Sequence, residues 1–150
     1  MPNQRVERLL ELEGISPVWV ERWERGENYA LMARICPRIS LAVWSGVDFE
    51  EGLGWFETHF PRLFGDDRHH HFIDIGQMAK ANSTMASTYI GALAKGRSHF
   101  EGVHCHYTSD NMFNRMVVSA TNVTTRGLVQ VYTLESDFDD AFGSVTKACC

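Results

Sequence analysis

Short apolar runs alternate with stretches whose apolar residues recur every three or four positions, and this alternation constrains the fold more than any other feature. The runs YALMARIC (29–36) and ISLAVWS (39–45) are joined by Pro37-Arg38, which predicts two strands and a tight turn. Asp48 then leads a helical stripe of Phe49, Leu53, Phe56, Phe60 and Leu63. HHFIDIG (70–76), FEGVHCHYT (100–108) and GLVQVYT (127–133) read as further strands, each followed by a helical stripe. After the first of these come Ala86, Tyr89, Ile90, Leu93 and Ala94; after the second, Met112, Phe113, Met116, Val117 and Ala120 behind Asp110. The last stripe is Phe138, Ala141, Phe142 and Val145, with Ser136 as its expected cap. Strands alternating with helices imply right-handed crossovers, so the prediction is an α/β domain with a small, mostly parallel sheet and a mixed edge made by the first two strands.

The first 28 residues stand apart from that rhythm. Val6, Leu9 and Leu10 suggest a short helix ended near Gly14, and Ser16-Pro17 suggests the start of a second one carrying Val18, Trp19 and Trp23. The expected organisation is therefore a helical extension over 1–28 and a domain over 29–150. Trp19 and Trp23 either cover the domain or form an association surface, and a homodimer is one possible use of it.

Composition limits the function classes. The 150 residues, 44% of them hydrophobic, are enough for one domain with a real core. A net charge of -5, with the arginines dispersed among acids, argues against nucleic acid as the primary partner. No apolar run reaches the length of a membrane span, and the acidic N-terminal stretch does not read as a signal peptide, so the expectation is a cytoplasmic protein. Cys36, Cys105, Cys149 and Cys150 contain no CxxC pair and suggest no disulfide framework, in keeping with a reducing compartment.

The polar cluster Asn82-Ser83-Thr84, just before the stripe that begins at Ala86, has two readings. It is a helix N-cap, a role worth about 1 kcal/mol. It is also a place for negative charge, because a helix start offers unpaired N–H groups and a partial positive charge. A phosphate there adds about -1.5 to -2 charges and alters what docks on the exposed helix end.

Within the predicted order of elements, FIDIGQMAKANSTMASTYIGAL (72–93) resembles the central signature of STAS domains, the modules of sulfate transporters and anti-sigma-factor antagonists. That signature is a hydrophobic strand ending in Asp and a hydrophobic residue, then a short loop, then Asp-Ser-Ser-Gly opening a helix. Here Ile73-Asp74-Ile75 stands at the strand end, and Asn82-Ser83-Thr84-Met85 stands at the helix start. The resemblance covers roughly Tyr29 to Val145. It implies a STAS-like fold and a regulatory module that docks a partner through residues 79–89. The implied partner is an anti-sigma factor with kinase-like character or another signalling subunit. It also implies that Ser83 is the phospho-acceptor and Thr84 the second hydroxyl. Asn82 replaces the family's Asp and Met85 its Gly, which changes both the charge and the bulk beside the acceptor.

The histidines offer a rival reading as a small-molecule or metal-binding module. His104 and His106 share one face of a strand, and one of His69, His70 and His71, or Cys36, is a possible neighbour in the sheet. A zinc centre wants three or four ligands, and no third one stands out; half-buried imidazoles are the simpler expectation. No GxSxG, P-loop or GxGxxG occurs, and the acid pairs Glu50-Glu51, Asp66-Asp67 and Asp139-Asp140 fall at loops or helix starts. The chain is read as a non-enzyme without a cofactor of its own, with a small enzyme of unrecognised family as the remaining alternative.

Overall fold

The computed structural model describes residues 9–11, 14–46, 52–78, 83–108, 115, 118–120, 122–123 and 126–150. Six strands form one mixed sheet in chain order: β1 (Trp19–Arg25), β2 (Asn28–Cys36), β3 (Ile39–Ser45), β4 (His69–Asp74), β5 (Phe100–His106) and β6 (Val129–Tyr132). β1, β2 and β3 are antiparallel neighbours, whereas β3, β4, β5 and β6 run parallel. The helices named here are α1 (Leu53–Phe64), α2 (Ser83–Lys95) and α3 (Glu135–Cys149). The α/β class is as predicted. The sheet differs, because its first half is antiparallel and it carries a strand more than the run of apolar segments suggested.

β2 and β3 are buried on both faces, and this is why YALMARIC and ISLAVWS are continuous apolar runs rather than alternating ones. Parallel neighbours need crossovers, and right-handed crossovers stepping in one direction place their helices on one face. α1 and α2 obey this rule: Phe56, Phe60 and Leu63 of α1 and Tyr89 and Leu93 of α2 pack with Trp44, Ile73 and Val103. α3 follows the last strand onto the opposite face, where Phe138 and Phe142 pack with Leu31, Leu41 and Phe72 and with Leu9 and Leu10. Gly46, at the end of β3, has φ +111° and comes so close to Asn28 that a side chain there would collide with its backbone.

The helix predicted over Val18, Trp19 and Trp23 is a strand instead. β1 pairs with β2 from Trp19↔Arg34 to Arg25↔Asn28, so the expected boundary at residue 28 falls within a hairpin. A spacing of four residues puts Trp19 and Trp23 on one side of a helix, and being even it puts them on one side of a strand as well. The exposed backbone groups along β2 decide between the two, because pairing with β1 satisfies them. Trp19 is buried and Trp23 packs against the same core.

Two further corrections concern helix ends and cysteines. α3 begins at Glu135 behind Leu134, so Ser136 lies inside its first turn rather than capping it. Its other end lies beside the end of β2, where Cys150 is disulfide-bonded to Cys36 with Cα atoms 6.1 Å apart. The four cysteines, expected to form no disulfide framework, therefore include one bond: Cys150 is a cross-link, Cys149 is a half-buried thiol and Cys105 is a buried one. Sequence spacing missed the bond because its partners lie 114 positions apart. Residues 109–114, including the expected start at Asp110, lie outside the described residues; beyond them Val118 is buried and Ala120 exposed, so Ala120 does not face the core as predicted. No helix among the described residues is long and apolar enough to cross a membrane.

Candidate functional site

Ligands and partners of open α/β sheets are met at the carboxyl ends of the parallel strands, where the loops to the helices emerge. β4 ends there with Asp74 and β5 with His106. The two face each other across the strand pair: Asp74 Oδ1 accepts from His106 Nδ1 at 2.8 Å and from the Gly76 backbone N–H at 2.9 Å. Both side chains are buried. Gly76 passes so close to the His106 ring that a Cβ there would collide with it. Thr108 donates its hydroxyl to the Gly76 carbonyl at 2.6 Å, and the Ile75 N–H donates to the His106 carbonyl at 3.0 Å. On the other side, Gly46 N–H donates to the Gln77 carbonyl and Gly46 bridges to Met78.

Together these bonds build a firm seat for residues 75–78, the segment that carries the chain from β4 towards α2. Asp74, which the resemblance to STAS modules counts with Asn82, Ser83, Thr84 and Met85 among the partner-binding residues, is the centre of that seat. Asp74→Asn removes the charge that holds His106 and is expected to cost about 1–3 kcal/mol of stability, measured as a shift of the urea midpoint at unchanged slope.

α2 begins at Ser83, and Thr84 on its first turn is exposed. The Thr84 carbonyl accepts from Thr88 Oγ1 at 2.8 Å. Ala86, Tyr89 and Leu93 are buried, as the stripe predicts, while Ile90 and Ala94 are only partly covered. Asn82 lies outside the described residues, and so do the side chains of Ser83 and Met85. A cleft of about 530 Å³ opens between α1 and α2, lined among others by Phe60, Phe64, Thr88, Ala92 and Lys95. It begins one turn after Thr84 and runs away from the helix start.

The histidines divide between the two faces of the sheet. His71 lies on the α1–α2 face, hydrogen-bonded to Ser40 at 2.8 Å and to the Tyr89 hydroxyl. Burial holds its imidazole well below the ordinary range and the Tyr89 phenol well above it. On the same face His69 Nδ1 donates to the Asp67 carbonyl at 2.8 Å, and burial holds its imidazole at about 4. His104 and His106 share the α3 face with Cys105 opposite, as predicted, but they do not converge: His106 turns to Asp74 and His104 to His70 and Tyr132. Among the described residues no three of His, Cys, Asp and Glu are grouped so as to hold a metal ion.

Arg34 carries no role in the sequence reading. It is buried, and its guanidinium donates to the carbonyls of Leu63 at 2.9 Å, Phe64 at 3.3 Å and Pro37 at 2.6 Å, tying the end of α1 to the β2–β3 turn. A cation at a helix carboxyl end meets the negative pole of its dipole. The signal for it was present: a single charge inside an otherwise apolar run must find internal acceptors.

No family model, curated protein or solved structure matches the chain.

Proposed function

We propose that the chain is a regulatory protein-binding module of STAS-like character, docking a partner through the segment 79–89 and switched by phosphorylation of Ser83 or Thr84. The observation that carries the reading is the start of α2: Thr84 is exposed on the first turn while Ala86, Tyr89 and Leu93 anchor the same helix in the core. A hydroxyl held in this way accepts a phosphate without disturbing the fold, and the new charge acts on whatever lies against the helix end. The seat around Asp74 supports the reading, since a docking loop gains affinity when its approach is already ordered. The partner proposed is an anti-sigma factor of kinase-like character or another subunit of a signalling complex, met in the cytoplasm. In a reducing cytoplasm the Cys36–Cys150 bond would be kept open.

The cleft beside Thr88 favours one second reading, a small-molecule-binding module whose ligand lies between α1 and α2. The two readings separate in one experiment. Partners are captured from the native host on wild-type protein, and their affinities are then measured for wild type, Thr84→Ala, Thr84→Glu and Ser83→Asp. The proposal expects the acidic variants to lose about 1–3 kcal/mol of binding free energy while Thr84→Ala stays near wild type. Equal affinities for all four, with intact folding, would leave residues 82–84 as a helix cap only.

A further inference from the structure

We propose that the cleft between α1 and α2 binds a small apolar amino acid in its zwitterionic form. The proposal rests on the second reading above, in which this cleft takes a small molecule, and names the chemistry of that molecule. β3, β4 and β5 are parallel neighbours, so the crossover helices α1 and α2 return in the same direction and lie side by side. The space between them, about 530 Å³, falls within the roughly 300–1,000 Å³ of small-molecule sites.

The floor of the cleft is apolar and fixed. Phe60 and Phe64 are buried and stacked, with ring centroids 5.7 Å apart. Phe100 at 5.4 Å and His71 at 5.1 Å hold the Phe64 ring edge-on, and Tyr89 backs both phenylalanines. Such a surface takes an aromatic or branched aliphatic side chain without prior rearrangement.

The two walls differ in character. The α1 wall accepts: it carries the Glu57 carboxylate and, just past the helix end, that of Asp66. Pro61 adds a further acceptor, because it has no N–H and leaves the Glu57 carbonyl without its helical donor. Gly65, at φ +57°, turns the chain off the helix so that Asp66 borders the cleft. The α2 wall donates, through the Lys95 ammonium and the His99 imidazole. Among the described residues none of these side chains makes a hydrogen bond or an ion pair, so the walls do not neutralise each other across the gap.

A ligand of one charge meets the wrong sign on one wall. A carboxylate alone faces Glu57 and Asp66, an amine alone faces Lys95, and juxtaposed like charges oppose binding. An amino acid suits both walls at once, since its ammonium and carboxylate leave one carbon in different directions. The ammonium donates to the α1 acceptors, the carboxylate accepts from Lys95 and His99, and the side chain rests on Phe60 and Phe64.

Calorimetric titration of the full chain with phenylalanine, leucine, hydrocinnamate and phenethylamine tests this. Phenylalanine or leucine is expected to bind once per chain, with each single-charge analogue weaker by about tenfold or more. Lys95→Met should weaken phenylalanine by about tenfold without weakening phenethylamine, and the double variant Glu57→Gln, Asp66→Asn should do so without weakening hydrocinnamate. Ala92→Trp, at a partly covered position, fills the cleft and should abolish binding while the unfolding midpoint is retained. An analogue that binds as tightly as phenylalanine, and is lost in Ala92→Trp, overturns the amino acid and keeps the small-molecule cleft. Failure of all four probes to bind the folded wild type, or binding unchanged by Ala92→Trp, overturns both.

Discussion

Acidification from pH 7 to pH 4 is expected to remove about 4–6 kcal/mol of folding stability through two histidines alone. Burial holds the imidazoles of His69 and His104 at about 4, against 6.5 for the unfolded chain. At pH 7 both rings are neutral folded and unfolded, so nothing is lost. As pH falls through 6.5 the unfolded chain takes up protons that the folded one refuses, and each ring then pulls the equilibrium towards unfolding by up to about 1.4 kcal/mol per pH unit. The loss levels off near pH 4, once the folded rings protonate as well. Allowing for screening by solvent, each ring contributes about 2–3 kcal/mol. His71, fully buried between Ser40 and Tyr89, acts in the same direction.

The structural cause at His69 is specific. Its Nδ1–H is spent on the Asp67 carbonyl, and Nε2 is buried with no hydrogen-bond partner among the described residues, beside the Phe100 ring. Protonation would put a donor where nothing accepts. Urea unfolding at pH 7, 6, 5 and 4.5, in the presence of a chelator, gives the slope directly. His69→Gln is expected to flatten it by its share. Stability that stays level between pH 6.5 and 4.5 would mean these rings are hydrated in solution.

Reduction of the Cys36–Cys150 bond is expected to cost about 2–4 kcal/mol. The bond spans 114 positions, and closing so long a loop removes much of the freedom of the unfolded chain. In the chain-entropy account a loop of about 100 residues is worth nearly 5 kcal/mol, a ceiling that measured disulfides seldom reach. The folded state should survive reduction, because Phe138 and Phe142 hold α3 on the sheet without help from the cross-link. The check is the urea midpoint with and without a dithiol reductant. Cys36→Ser should show the reduced midpoint under both conditions, and Cys149→Ser should behave as wild type. A wild-type midpoint indifferent to reductant would show that the two sulfurs are not joined in solution.

The parts of the fold legible in the sequence are those whose neighbours in space are neighbours in the chain. The hairpin around Pro37-Arg38, the α1 stripe of Phe56, Phe60 and Leu63 and the α2 stripe of Ala86, Tyr89 and Leu93 each follow from periodicity within a dozen residues. The candidate site was half legible. Thr84 on an exposed first turn follows from the stripe behind it, whereas the pairings of Asp74 with His106 and of Gly76 with Thr108 do not, because 32 positions separate the partners in each. The one short signal that was present, a lone arginine in YALMARIC, marks a place where the tertiary structure brings backbone carbonyls very close.

By itself, then, the sequence determined the α/β class, the hairpin, the helical stripes and the polar start of α2, since local hydrophobic period and turn chemistry depend on nothing further away. Only the tertiary structure decided that Trp19–Arg25 is a strand, because a spacing of four satisfies both periods and the open edge of β2 supplies the deciding hydrogen bonds. It alone joined Cys36 to Cys150, seated the 75–78 segment on Asp74 and His106, and set His70 against His104. Each of these is a meeting of side chains more than thirty positions apart, and such meetings are created by the register of adjacent strands and by the face on which a helix lands, quantities that no local pattern carries.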